Sequence, residues 1–126
     1  MKIGEMARRT NLPESTLRYY EKKGLLKVER DKNGRRNYRQ CDVEWIKFIR
    51  RLKETGMLLK DIKYYSELRY AGISTMPERL EILQLHRNYV LHQQLKWNEY
   101  LQNLDHKIAF YQESIIKNHQ QEYDER

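Results

Sequence analysis

A single cysteine, Cys41, stands in a chain of 126 residues. One thiol cannot close an intrachain disulfide, so a disulfide-stapled scaffold is excluded, as are the cysteine clusters that hold zinc or iron–sulfur groups. Long apolar runs are missing as well. Charged residues enter at Lys2 and Glu5, so no secretory leader is expected. No apolar stretch approaches the roughly 20 residues that cross a bilayer. The sequence points to a cytoplasmic, nucleoid-associated protein with no membrane partner. Histidines are few and badly spaced for a metal. His86 and His92 lie six apart, on different faces of a helix, and His106 and His119 add nothing to them. No metal and no cofactor are expected. No nucleophile–base pair or phosphate loop is present either, so an enzyme is not expected.

What the chain does have is positive charge, unevenly spread. Formal net charge is +7. Residues 1–72 hold 19 Lys/Arg against 10 Asp/Glu, while residues 73–126 hold 6 against 8. A basic first part beside a nearly neutral second part suggests that the first meets a polyanion.

Ile3, Met6, Ala7 and Thr10 recur at helical spacing, which predicts a first helix over about 3–10. Asn11-Leu12-Pro13 breaks it, since proline disfavours helical geometry in the residue before it. Proline also suits the first position of a helix, so a second helix is placed over about 13–23, closed by a left-handed Gly24. On that helix Ser15, Arg18, Tyr19 and Lys22 share one face, and Leu17 points away toward the first helix. The segment 26–39 reads as a two-stranded wing. Asn33-Gly34 is a strong hairpin signal, because both residues can take positive φ. The return strand Arg35-Arg36-Asn37-Tyr38-Arg39 is so basic that a counter-surface of phosphates would stabilise it.

Asp42 is read as the N-cap of a third helix over about 43–55, with Trp45, Ile46, Phe48, Ile49 and Leu52 on its apolar side. A fourth helix covers about 59–70, with Ile62, Tyr65 and Leu68 toward the core, and Gly72 stops it. Residues 73–77 form a linker, and Thr75-Met76-Pro77-Glu78 resembles a capping box. A long helix follows over 78–117, then a frayed polar tail over 118–126. Along the long helix Leu80, Leu83, Arg87, Val90, Gln94, Trp97, Leu101, Leu104, Ile108, Tyr111 and Ile115 step by three and four without a slip. So sustained a seam argues for a coiled coil and hence a homodimer, with packing of the helix on its own N-terminal domain as the alternative; the polar Arg87 and Gln94 can fix register. The fold class expected is mainly α: a winged helix-turn-helix domain over 1–72 followed by a long antiparallel coiled-coil dimerisation helix.

Several short motifs now fall in order: Ile3-Gly4-Glu5-Met6-Ala7, Thr16-Leu17-Arg18-Tyr19-Tyr20-Glu21, Gly24-Leu25-Leu26, Arg36-Asn37-Tyr38 and Gly56-Met57. Together they resemble the MerR family of bacterial transcription regulators, over residues 1 to about 72 by motif and beyond that by architecture. The resemblance implies a dimer on a near-palindromic operator in double-stranded promoter DNA. It implies bending and untwisting of the promoter spacer, at an elastic cost offset by contacts, and so an indirect partnership with RNA polymerase.

Carried onto this sequence, Ser15, Thr16, Arg18 and Tyr19 are the groove-facing set, with Tyr20 supporting them or touching phosphate. Arg18 can read a guanine edge with its bidentate fork. Arg35, Arg36, Asn37, Tyr38 and Arg39 are wing contacts to phosphate and minor groove, which position more than they specify. Packing between helix and wing is the alternative for Tyr19 and Tyr20.

The resemblance also bears on the signal. Metal-sensing members carry cysteines at the ends of the dimerisation helix, where this chain has none. Drug-binding members add a C-terminal domain, and only nine residues follow Lys117. Short members of the family answer reactive aldehydes or oxidants, often through one cysteine early in helix 3. Cys41 is the candidate sensor, although the Asp42 cap places it just outside that helix. Arg39 nearby favours a thiolate and Asp42 opposes it; an inert residue is the alternative. A second candidate is an effector pocket lined by Tyr64, Tyr65 and Tyr70, with Trp97, though such aromatics also make plain core. Alternatives to a signal-responsive regulator are an effector-independent repressor and an architectural DNA-binding protein with a salt-sensitive, sequence-blind affinity.

Overall fold

The computed structural model describes residues 1–118. Element order is α1 (Ile3–Thr10), α2 (Glu14–Lys22), β1 (Glu29–Arg30), β2 (Arg36–Asn37), α3 (Gln40–Glu54), α4 (Leu59–Ala71), a 3-10 turn (Ile73–Thr75) and α5 (Met76–Asn118). The fold is a winged helix-turn-helix with a long C-terminal helix. The chain divides into two compact units, the first Met1–Arg87 and the second beginning at Asn88.

The first unit owns the core. Met6 from α1, Leu17 and Tyr20 from α2, Leu25 and Leu26 from the connection, Tyr38 after the wing, Val43, Trp45, Ile46, Ile49 and Leu52 from α3, and Ile62 and Tyr65 from α4 are all buried. Full burial of one such side chain is worth about 1.5–3 kcal/mol, which is why these short elements hold together. Ile82 and Leu83, on the first turns of α5, pack against the same cluster.

The helix-turn-helix bend is made by Asn11, which takes the left-handed conformation at φ 55° and so ends α1. Asparagine tolerates that region better than most residues. Pro13 is not the first residue of α2 but its cap, in extended geometry, and the helix begins at Glu14. The Pro13 carbonyl accepts from the Thr16 and Leu17 amides. Beyond α2, Gly24 at φ 79° turns the chain toward the wing.

Other boundaries move too. Helix α3 starts at Gln40, three residues before the expected place, with Arg39 as N-cap. Asp42 is therefore the third helical residue; its carboxylate reaches back to accept from the Arg39 amide at 2.8 Å. That is the second half of a capping box, in which an acidic side chain satisfies the cap's own N–H. Cys41 consequently lies inside the first turn of α3, not outside it, and is exposed.

The expected linker 73–77 is structured: Ile73–Thr75 makes a 3-10 turn and α5 starts at Met76. Thr75 and Glu78 do not form a capping box. The Thr75 hydroxyl donates back to the Leu68 and Gly72 carbonyls, and Glu78 accepts from the Tyr64 hydroxyl. Helix α5 includes Asn118; the rest of the expected tail, 119–126, lies outside the described residues. No described residue of α5 is buried. Among its seam residues Leu80, Trp97, Leu101, Leu104, Ile108 and Ile115 are 53–68 % exposed.

Candidate nucleic-acid interface

Helix α2 carries two faces. Leu17 and Tyr20 point into the core, while Ser15, Arg18 and Tyr19 are exposed and Thr16 is half-buried. Arg18 is held along the helix by Glu14, one turn earlier, at 3.2 Å. A pair so exposed is weak and readily exchanged for another anion. The exposed Tyr19 ring has two ammonium groups near it, Lys23 Nζ at 5.7 Å and Lys53 Nζ at 5.9 Å from its centre. Such cation–π contacts orient the ring without burying it. Tyr20 is a correction: it is 3 % exposed and belongs to the core. Burial pushes its hydroxyl pKa up, partly opposed by Arg50.

The wing is a two-stranded antiparallel ribbon in which Glu29 faces Asn37 and Arg30 faces Arg36. Its turn is not the type expected from Asn33-Gly34. Only Gly34 has positive φ, at 76°. The Asp31 carboxylate captures the Asn33 amide at 2.8 Å and the Arg35 amide at 3.0 Å. The Gly34 amide donates to the Asp31 carbonyl at 2.9 Å. A type I turn closed by a left-handed glycine is the usual three-residue solution, and it lets Asn33 keep negative φ. The Arg35 amide is the main reason the Asp31 carboxyl titrates below its ordinary value.

Placing Arg30 opposite Arg36 sets two cations face to face, which destabilises a ribbon. The expected counter-surface of phosphates is not the only remedy, because the protein supplies one. Glu21, the last residue of the Arg-Tyr-Tyr-Glu motif, accepts from Arg36 Nε at 2.8 Å and from Arg30 Nη2 at 3.0 Å. The motif alone gives Glu21 no role; the register that sets Arg30 opposite Arg36 supplies it. Arg39 pairs more loosely with Glu29 at 3.6 Å. Asn37 accepts from the Met1 ammonium at 3.0 Å.

Tyr38 is a second correction. At 1 % exposure it cannot reach a phosphate or a minor groove. Its hydroxyl is buried without a hydrogen-bond partner, and burial raises its pKa. The wing set is thus Arg35, Asn37 and Arg39 exposed, and Arg36 partly covered by its bond to Glu21. Lys2, missed in the sequence, joins Ile3, Arg30, Gly34, Arg35 and Arg36 around a shallow basic groove of about 370 Å³. A second groove, about 450 Å³, lies between α1 and α3 and gathers Arg9, Lys47, Arg50, Arg51 and Glu54.

The three tyrosines offered as an effector pocket have separate duties. Tyr65 is core, its ring stacked on Trp45 at 5.8 Å. The Tyr70 hydroxyl accepts from the Lys27 amide at 3.0 Å. The Tyr64 hydroxyl donates to Glu78 at 2.8 Å, which raises its pKa. His86 contacts the Thr55 hydroxyl at 2.8 Å. Among the described residues no three His, Cys, Asp or Glu side chains converge on one point. No described helix is long and apolar enough to cross a membrane.

The chain as a whole resembles known proteins. The family model described as MerR HTH family regulatory protein matches residues 1–68, over half of the chain. This chain belongs to the MerR family. A MerR relative in Haemophilus influenzae, an HTH-type transcriptional regulator, is 38% identical over 109 residues, 86% of this chain and 81% of that protein. AdhR of Bacillus subtilis, also an HTH-type transcriptional regulator, is 36% identical over 84 residues, 66% of this chain and 60% of AdhR. Among solved structures, HiNmlR is a MerR family regulator lacking the sensor domain, bound to promoter DNA. It matches at TM-score 0.81 and 36% identity over 92% of this chain and 93% of that one. A MerR family regulator from Listeria monocytogenes matches at TM-score 0.87 and 29% identity, over 92% and 89%. These are transcriptional regulators, a non-enzymatic family, and this MerR chain is a transcription regulator of the same kind.

Proposed function

We propose that this MerR regulator acts in the cytoplasm as a homodimer on a near-palindromic promoter operator, bending and untwisting the spacer for RNA polymerase. The observation that carries the reading is the exposed Ser15-Arg18-Tyr19 face of α2, beside a wing held by Glu21. Thr16, Arg35, Asn37 and Arg39 complete the DNA-facing set, and Arg36 is held beside them by Glu21. The promoter-bound HiNmlR supports it, since its likeness extends over nearly all of this chain. For the dimer, the support is the row of apolar side chains on α5, none of them buried. Leu80, Val90, Trp97, Leu101, Leu104, Ile108, Tyr111 and Ile115 follow heptad spacing, interrupted by the polar Arg87 and Gln94 and joined by Leu83, which also touches the first unit's core.

The same reading gives Cys41 the sensor role. Its side chain lies in the first turn of α3 and is exposed, within reach of a dissolved electrophile.

The test joins binding, mass and transcription. Wild type, Leu101→Asp/Leu104→Asp and Cys41→Ser are compared on the promoter beside the protein's own gene, with and without formaldehyde. Sedimentation should show the Leu101/Leu104 variant as a monomer that has lost operator binding. A monomer with full operator affinity refutes the seam. Transcription should respond to formaldehyde in wild type and not in Cys41→Ser; equal responses make the thiol structural. Equal affinity for promoter and scrambled DNA would leave an architectural protein.

A further inference from the structure

We propose that Glu21 is a specificity-determining residue, which keeps Arg30 and Arg36 away from indiscriminate phosphate contact and fixes the wing beside α2. The inference rests on the operator-reading function above. Arg30 and Arg36 are directly opposed across the ribbon. Both line the basic wing groove with Lys2 and Arg35. Two flexible cations at that spot would bind any phosphate within reach, and phosphate contacts carry no sequence information.

One carboxylate intervenes. Glu21 Oε1 accepts from Arg36 Nε at 2.8 Å, and Oε2 accepts from Arg30 Nη2 at 3.0 Å. The Glu21 side chain is only 20 % exposed and that of Arg36 27 %, so salt screens this pair less than a surface one; Arg30 is more open, at 44 %. Its position adds meaning to its charge. Glu21 sits on α2 three residues beyond Arg18, less than a turn away. A rigid link at that point ties the wing's angle to the helix that enters the groove. Random DNA gains nothing from that angle, whereas an operator that must meet helix and wing together depends on it.

The two roles of Glu21 make opposite demands on the two kinds of DNA. Removing its charge frees two cations, so affinity for scrambled DNA should rise and depend more steeply on salt, by about one to two units of log K per log salt. Operator affinity should fall, because the wing loses its setting. A residue that merely stabilises the fold would weaken both together.

The experiment compares the full-length wild type, Glu21→Gln and Glu21→Gln/Arg30→Gln. The probes are a duplex enriched by wild type from a random pool and a scrambled duplex of equal length, titrated from low to moderate salt. Expected for Glu21→Gln is at least about a tenfold loss in the operator-to-scrambled ratio, with a steeper slope on scrambled DNA. Expected for the double variant is a slope restored toward wild type while the ratio stays low. The double variant also relieves the arginine repulsion, so it should fold even where the single variant does not. An unchanged ratio, proportional weakening on both probes, or a double variant that keeps the steep slope overturns the proposal. Failure of wild type to enrich any sequence overturns instead the operator reading beneath it.

Discussion

Trp45 and Ser66 donate to the same backbone oxygen. The indole Nε1 of α3 and the hydroxyl of α4 both reach the Leu25 carbonyl, at 2.9 and 2.7 Å. A carbonyl has two lone pairs, and this one spends both inside the core. Two residues on, the Lys27 amide is taken by Tyr70. The connection between α2 and the wing is thus fastened from behind by α3 and α4. The interface is placed by these hidden bonds as much as by its own exposed residues.

Ser66→Ala should therefore cost about 1 kcal/mol of stability, with a fall of several degrees in Tm. Trp45→Phe should cost more, since it also loses the Arg69 guanidinium stacked 4.5 Å from the indole. Thermal unfolding of the two variants checks the order. Equal melting temperatures for wild type and Ser66→Ala would show the shared bond to be energetically idle.

Tyr38→Phe should leave operator affinity unchanged and stability equal or higher by about 1 kcal/mol. The buried hydroxyl has no partner to lose, and an unpaired buried polar group costs free energy. A drop in DNA affinity at unchanged stability would restore Tyr38 to the wing contacts.

Arg18→Ala should weaken operator binding by about 1–3 kcal/mol and relax the preference at one base in each half-site. Competition among operators substituted at single positions measures this. Equal losses on operator and scrambled DNA would put Arg18 on phosphate.

The wing turn should hold down to unusual acidity. The Asp31 carboxyl is shifted below its ordinary value of 3.8, chiefly by the Arg35 amide. A depressed carboxylate contributes its stabilisation in full above the unfolded value and loses it as pH falls through the folded value. At neutral pH the turn is therefore intact, and it should loosen only below 3.8. Amide NMR shifts of Asn33 and Arg35 followed through an acid titration report it. A midpoint at or above 3.8 would mean that the carboxylate does not hold the turn.

The family and its winged helix-turn-helix were legible because they are written locally: helical spacing from Ile3 to Thr10, the break at Asn11-Leu12-Pro13, and an Arg-Tyr pair at a fixed offset. What escaped was decided by competition for the same groups. Asp42 is a good cap by type, yet it serves three residues into the helix, because the Arg39 amide needed an acceptor. Asn33-Gly34 suits one turn by type, yet the Asp31 carboxylate drew two amides and chose another. Tyrosine is ambiguous in principle, being both apolar and polar. Nothing in the motif says that Tyr19 faces out while Tyr20 and Tyr38 face in. Glu21 could be assigned only once the ribbon's register set Arg30 against Arg36.

Helix α5 runs for 43 residues with none buried. A helix draws most of its stability from what it packs against. On the dimer reading, a second copy supplies that packing, so the intact seam becomes a function of how much protein is present. In the dilute limit paired chains vary as the square of unpaired ones, so halving the supply would cut the pairs about fourfold. Gene dosage then becomes an input to the promoter in its own right, felt before any chemical signal arrives.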